Sequence, residues 1–556
     1  MGALCAPSAS ASAEDGCVDV TQETPETLLH YRFASSSQAP IAALERDRRY
    51  RVGEIRIVRQ PIFDASNPHE RRALYQAADR LHVRTRESTI RTVLLFSEGD
   101  LVAPKTLAES ERRMRAKVYL ADARVLPRRV CGERLDVDVV TRDVWTLSPG
   151  LDYGRAGGSN STGLGLSEEN LLGYGQSLEF GYSSNADRAG YDVTYHAPNL
   201  GASQVGLFAS VHDNDDGYLQ VLDVSQPFYS LEAPFALGTH FARGDAEESL
   251  FFRGDEVAHF DHEVRRASLS GGILGGRFAR GVWRWTGGFQ YEDDRFGPVR
   301  NKVSPDPFPE DRTFAYPFFG FEYVEDRYAI ATDVNRIAQT EDLDLGRHAS
   351  AQIGFSTHAF GGDDQARAVY QLAYGQALRR SPTSPLTVGF AASGFWNFDR
   401  DRSEDVVVET DVVFHHRQTE VLSLASTAIV VYANNLYADH QVLVGGDTGL
   451  RGYPSRYQAG DRSFVVSVEE RYRAPIYLWH LFRIGFAAFV DAGRAWFGGD
   501  PSQADYGVLV DAGVGLRIES TRTRRDQIFH LDFGVPLVDG PNLDAVQISF
   551  TVRSLL

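Results

Sequence analysis

From Gly163 to the end of the chain, short runs in which apolar and polar residues alternate recur at intervals of roughly 15–25 residues, bounded by Gly, Asn, Asp and Pro. Leu178/Phe180/Tyr182, Tyr191/Val193/Tyr195 and Val205/Leu207/Ala209/Val211 are examples. The terminal run is the cleanest, with Val546, Ile548, Phe550 and Val552 on one side and Gln547, Ser549, Thr551 and Arg553 on the other. A period of two sends successive side chains to opposite faces of a strand. The region therefore folds as many short strands, each with a greasy and a polar face. A β-sandwich alternates too, so the period alone does not decide. The sustained number of runs and a last strand that ends the chain favour a barrel. No stretch approaches the ~18–20 uninterrupted apolar residues of a spanning helix. In lipid, a closed barrel is then the remaining way to satisfy the backbone.

Length fits this reading, since 556 residues suit one large barrel plus a small module. Residues 150–556, shared among sixteen strands, give about 25 each, and ~10 of those span a tilted strand. Charge divides by region: residues 40–149 carry 22 basic against 16 acidic side chains, while 150–556 carry 34 against 54. Phosphate binding wants a concentrated basic face, so an acidic barrel behind a mildly basic module argues against nucleic acid as a partner.

The front of the chain changes pattern twice. Ala11-Ser12-Ala13 before Glu14 looks like a signal-peptidase site, so residues 1–13 are expected to be the remnant of an export signal and 14–49 a mobile lead-in. Over 50–142 a small α/β module is expected. Val52, Ile55, Ile57 and Ile62 suggest a strand, Asn67–Leu81 a helix, and Thr106–Tyr119 a second helix with Leu107, Met114 and Val118 on one face. A hairpin over 123–130 and 135–140 completes it. Of the three cysteines, Cys17 and Cys131 are candidates for a disulfide, but sequence does not give their distance.

The densest constellation runs from Gly445 to Gly493. A Gly-rich connection, Gly445-Gly446-Asp447-Thr448-Gly449-Leu450-Arg451-Gly452-Tyr453, precedes two alternating strands. Counting by twos, Ser467, Glu469, Arg471 and Arg473 take the face opposite Val466 and Val468; Gly485, Ala487 and Asp491 lie opposite Ile484, Phe486, Ala488 and Val490. Two carboxylates and a loop arginine can then meet inside something polar.

Leu450-Arg451-Gly452-Tyr453, the Glu-x-Arg of 469–471 and the Phe-x-Asp-x-Gly of Phe489, Asp491 and Gly493 together resemble the BamA/TamA (bacterial surface antigen) superfamily of outer-membrane barrels. Each motif is weak alone; their order and spacing carry the likeness, which covers roughly Tyr50 onward. The resemblance implies a mainly β chain, with a 16-stranded antiparallel transmembrane β-barrel over 143–556 preceded by a POTRA-like α/β domain in the periplasm. It further implies a lumen-inserted loop over 434–462, Arg451 paired with Asp491 near Glu469, and a weak seam between a first strand near Gly163–Asn170 and a last near Ala545–Arg553. Insertion or translocation of proteins at the outer membrane would be the function. The partners would be outer-membrane lipid and unfolded client proteins, met at the module's sheet edge and at the barrel seam. A secretion pore or lipid transporter for one dedicated client, and a passive pore, are the alternatives.

Other patterns weigh little. Asp213-Asn214-Asp215-Asp216-Gly217 starts like a calcium loop, but Val224 stands where a glutamate is required, so a hairpin tip is expected. Gly271–Gly276 lacks the Lys-Ser/Thr of a phosphate loop and reads as a glycine-rich strand end. His415-His416 reads as an exposed loop pair, and no Ser/His/acid set assembles. No enzyme, cofactor or metal is implied.

Overall fold

A computed structural model describes residues 17–553 except 22, 32, 34–38, 65–66, 71, 157, 186, 333, 338, 499–506 and 524–527. The expected signal remnant and the terminal Ser554-Leu555-Leu556 lie outside the described residues. The chain divides after Trp145 into a small module and a large ring.

The module is one five-stranded sheet with β1 (Cys17–Asp19), β2 (Tyr50–Gln60), β3 (Leu101–Val102), β4 (Leu120–Cys131) and β5 (Arg134–Asp143) in the order β1-β4-β5-β2-β3. Helices α1 (Pro25–Leu28), α2 (Ala39–Ala42), α3 (Ala73–Leu81), α4 (Glu87–Val93) and α5 (Pro104–Arg115) accompany it. The alternation of β5 sets Leu135, Val137 and Val139 into a core with Ile90 and Val93 of α4 and Leu107 and Met114 of α5. On the opposite face Asp138 is buried, and Arg56 grips both its oxygens at 2.8 and 2.6 Å.

The helices differ from expectation. The stretch from Asn67 splits into a 3₁₀ turn, Pro68–Glu70, and α3; Glu70 turns inward, where its carboxylate accepts from Asp64 N. Helix α5 stops at Arg115, leaving Val118 beyond its end, and α4 is an element the periodicity did not suggest because it is only 7 residues long. Part of the expected lead-in is built into the fold. Strand β1 pairs with the outer edge of β4, Cys17 and Cys131 are joined by a disulfide, and Leu28 packs on Val58, Leu126 and Val140.

The ring begins with β6 (Leu147–Ala156), β7 (Ser159–Glu168), β8 (Ser177–Ser184), β9 (Ala189–Ala197), β10 (Gly206–Asn214), β11 (Gly217–Gln226) and β12 (Phe235–Phe252). It continues through β13 (Asp255–Phe278), β14 (Gly281–Pro298) and β15 (Arg312–Glu325), passing over a separate hairpin of β16 (Tyr328–Thr332) and β17 (Thr340–Asp344). Next come β18 (Arg347–Ser356), β19 (Arg367–Ser381), β20 (Ser384–Asn397), β21 (Arg402–Arg417) and β22 (Leu422–Asn434). After a second separate hairpin, β23 (Val442–Val444) with β24 (Gln458–Gly460), it ends with β25 (Arg462–Leu478), β26 (Phe482–Trp496), β27 (Leu509–Ser520), β28 (Ile528–Pro536) and β29 (Gln547–Arg553).

Among the described residues the closed ring holds twenty antiparallel strands, four more than the sixteen expected. Several connections are two-residue turns, as at Asp215-Asp216, Arg253-Gly254 and Ala279-Arg280, so fewer residues go into loops than an even share among sixteen strands assumes. Arg253 and Gly254 both have positive φ, 58° and 86°, which suits the tight hairpin turn that matches strand twist. Asp213–Gly217 is such a hairpin tip. His415 and His416 lie in β21 and not in an exposed loop; the strand's alternation turns His415 inward, where it is 4% exposed.

The ring is inside-out. Along β25 to β29, Val468, Phe486, Val490, Val514, Phe533 and Ile548 are 40–59% exposed on the outer face. Their strand neighbours Glu469, Asp491, Arg517, Asp532 and Ser549 are buried within. A water-soluble barrel would show the reverse; apolar-out, polar-in alternation is what lipid demands. Among the described residues no helix is long and apolar enough to cross a membrane.

The ring closes between β29 and β6, where one residue pair, Phe550 with Arg155, is registered among the described residues. Strand β28 pairs with β29 over Ile528–Gly534, and β6 pairs with β7 along its full length. The first strand is thus one strand earlier than Gly163–Asn170, most of which falls in β7.

Candidate functional site: a loop anchored inside the barrel

Between β22 and β25 the chain leaves the wall and folds back. Its tip is a compact turn: Thr448 N and Leu450 N donate to Gly445 O, Gly446 N to Pro454 O, and Tyr453 N to Leu450 O. Glycines permit the turn. Gly449 sits at φ 115°, and a Cβ on Gly445 would lie 2.4 Å from Pro454 O. Leu450, Tyr453 and Tyr457 are fully buried with Val444, Ala495 and Leu509, so the loop carries an apolar core of its own against β26 and β27. Gly493 makes room for it, since a side chain there would press on Leu450 at 3.3 Å. The Tyr453 hydroxyl lies 2.9 Å from Val510 O and 3.2 Å from Val538 O.

This packing delivers Arg451 to the polar inner wall. Its Nε and Nη2 donate to the two Asp491 oxygens at 2.8 and 2.9 Å, and its Nη1 to Glu469 Oε2 at 2.7 Å. Nη2 also reaches Ser467 Oγ at 3.1 Å, and the guanidinium carbon lies 3.4 Å from the Phe489 ring centroid. Phe489 shares the inner face of β26 with Asp491, and it fills space against which a planar cation stacks. The fork of arginine suits this bidentate grip. Gly452 lets the backbone lie against β27: a Cβ on it would be 2.5 Å from Asp511 Cβ. Gly534 does the same from β28, where a Cβ would meet Arg451 C at 2.8 Å.

All eight residues singled out in sequence, Leu450, Arg451, Gly452, Tyr453, Glu469, Phe489, Asp491 and Gly493, therefore meet at this one place. The network is larger than those eight. Arg517 Nη2 donates to Glu469 Oε2 at 2.9 Å and its Nη1 to Asp532 Oδ1 at 2.5 Å, while Arg471 Nε donates to Glu469 Oε1 at 2.8 Å. Asp511, fully buried, is the cross-strand partner of Asp491. The signal that finds them is a charge on the inward parity of each strand after the loop. It becomes legible only once the registers of β26, β27 and β28 are known.

The outer part of the loop reaches across the lumen. Arg312 of β15 grips Asp439 at 2.9 and 2.7 Å, Phe251 N of β12 donates to Gln441, and Arg456 pairs with Asp187 at 2.6 Å. Chemically the arrangement is a web of ion pairs and hydrogen bonds around one guanidinium, with Ser467 Oγ donating to Asp491 Oδ1 at 2.6 Å. It is a lock that fixes a loop to a wall.

No family profile matches the sequence, and no curated protein matches it. Among solved structures, the chain is similar to BamA from Haemophilus ducreyi lacking POTRA domains 1–3, at 15% identity over 92% of this chain and 86% of that one, TM-score 0.41. It is also similar to CdiB from Acinetobacter baumannii, at 13% identity over 91% and 74%, TM-score 0.43, and to CdiB from Escherichia coli, at 12% over 95% of each, TM-score 0.39. The inside-out barrel itself is established by the strand pairing and the sidedness described above.

Proposed function

We propose that the chain is an outer-membrane barrel that inserts or translocates polypeptides, with its N-terminal module, a POTRA-like domain, in the periplasm. One observation carries this: among the described residues the ring's seam is joined by a single registered pair, Phe550 with Arg155. A strand edge so lightly paired is a template for another strand. Client segments would pair there while the anchored loop holds the barrel's shape from within. The module supports the reading, because β1 already sits on the β4 edge as an added antiparallel strand. Outer-membrane lipid covers the apolar outer face. The energy comes from the client's own folding and lipid burial.

The test is reconstitution into liposomes, followed by the folding rates of several unfolded outer-membrane barrels. Wild type is expected to accelerate folding, and Arg451→Ala to lose most of that acceleration. No acceleration by the wild type would overturn the insertase reading and leave a pore for one dedicated client or a passive pore.

A further inference from the structure

A second segment also leaves the wall, from the opposite mouth. The hairpin β16–β17 connects β15 to β18 at the end of the ring where β6 begins and β29 stops. It pairs with itself from Tyr328–Asp344 to Thr332–Thr340 and belongs to a sheet apart from the ring. Its tip touches strands that are not its neighbours. Ile337 N donates to Glu519 Oε2 at 2.5 Å and Gln339 Nε2 to Glu519 Oε1 at 2.7 Å, on β27. Arg471 of β25 donates to Val334 O at 3.4 Å, and Arg417 of β21 to Thr332 Oγ1 at 3.3 Å. Ile337 Cδ1 lies over the bare Gly485 of β26. Six ring strands separate β18 from β27 in the pairing order, so contacts between this hairpin and β27 run across the lumen and not around the wall.

We propose that the β16–β17 hairpin is a plug that shuts the barrel to ions and small hydrated solutes from this mouth, with Glu519 as its latch, and that its release opens a conducting path. Three observations support movement as a unit. The hairpin can leave without breaking any ring pair. Its turn is preformed, because Glu341 accepts from the backbone N–H of Val334, Asn335 and Arg336 within the hairpin itself. The contacts with Glu519, Arg471 and Arg417 are hydrogen bonds between polar groups, which water can replace on both sides. Glu519 is 2% exposed with the plug in place and faces the lumen.

The experiment is single-channel recording of the full chain in planar bilayers under symmetric potassium chloride. Wild type is expected to be mostly closed with brief openings, and Glu519→Gln to raise the open fraction several-fold. Ile337→Cys with Gly485→Cys, made with Cys5→Ser and oxidised by diamide, ties the tip to β26 and is expected to abolish openings. Each single cysteine is expected to behave as wild type. Heat-modified gel mobility checks that each variant is folded, and if Glu519→Gln fails to fold, the cysteine pair carries the test. Openings that persist in the tied protein, or a steady wild-type current untouched by either change, would overturn the plug. Conductance that fails to respond leaves the folding-rate assay of client insertion untouched, so the two readings fail separately.

Discussion

The two segments that enter the lumen are held in opposite ways. The 435–461 loop is packed: Leu450, Tyr453 and Tyr457 form a dry cluster, and Arg451 is enclosed by Asp491, Glu469, Ser467 and the Phe489 ring. The 326–346 hairpin meets the far wall through Glu519, Arg471 and Arg417. Apolar burial with an enclosed ion pair cannot be undone by degrees, because removing one partner strands the other charge away from water. A hydrogen-bonded tip can exchange its partners for solvent. The first arrangement suits architecture and the second suits motion.

The largest expected effect tests this directly. Arg451→Ala leaves buried Asp491 without its cation and removes one of the three guanidiniums on Glu469, and is expected to cost about 3–5 kcal/mol. Glu519→Gln keeps an acceptor at the same place and is expected to cost about 1 kcal/mol. Urea unfolding midpoints of the detergent-folded chain, read by heat-modified mobility, compare them, and equal costs would erase the distinction. A smaller contrast lies in two glycines. Gly452→Ala forces a methyl to 2.5 Å from Asp511 Cβ and is expected to cost about 1–3 kcal/mol. Gly485→Ala brings Ile337 Cδ1 to 3.4 Å, near ordinary contact, and is expected to stay within about 0.5 kcal/mol.

This asymmetry also governs what sequence could show. Arg451, Glu469 and Asp491 were legible because local alternation alone assigns each acid to the polar face, and the glycines mark the turn. Asp511, Arg517 and Asp532 needed the registers of three strands. The plug was not legible at all: Thr340–Asp344 has no greasy alternation, and nothing local says that Ile337 meets Gly485 148 residues away. The strands and their two faces followed from the period of two, and the barrel from the sustained number of such runs, since the period alone also fits a sandwich. The strand number did not, since turns as short as Arg253-Gly254 are not separated from longer loops by composition. In the module, Leu135, Val137 and Val139 were readable as core, whereas β1 was hidden because a three-residue strand has no period to detect.

Arg471 is where the two inserts meet, since it donates to Glu469 at 2.8 Å and to Val334 O at 3.4 Å. If the plug feels the locked loop through this side chain, Arg471→Gln and Glu519→Gln will show non-additive effects on stability. A double-mutant cycle is expected to give a coupling of about 0.5–1 kcal/mol. Additivity within about 0.3 kcal/mol would mean that the two inserts are independent.

The smallest effect concerns the loop's outer rim, where His440 Nδ1 lies 2.8 Å from Asp405 Oδ1 and Nε2 lies 3.4 Å from Asp439 Oδ2. Burial disfavours the charged imidazole, but the hydrogen bond to Asp405 and the charges of Asp405 and Asp439 outweigh it and hold its pKa above the ordinary 6.5. A raised pKa in the folded state means that the contribution is complete below 6.5 and fades as pH rises through the folded value. The stability gap between wild type and His440→Gln is therefore expected to narrow as pH rises above about 6.5. Because the ring is 45% exposed, solvent screening keeps the change small. Arg451 itself stays charged throughout the same range. A gap that instead widens with pH would show that the rim is held by the neutral imidazole, and the loop's outer half would then be anchored by packing as its tip is.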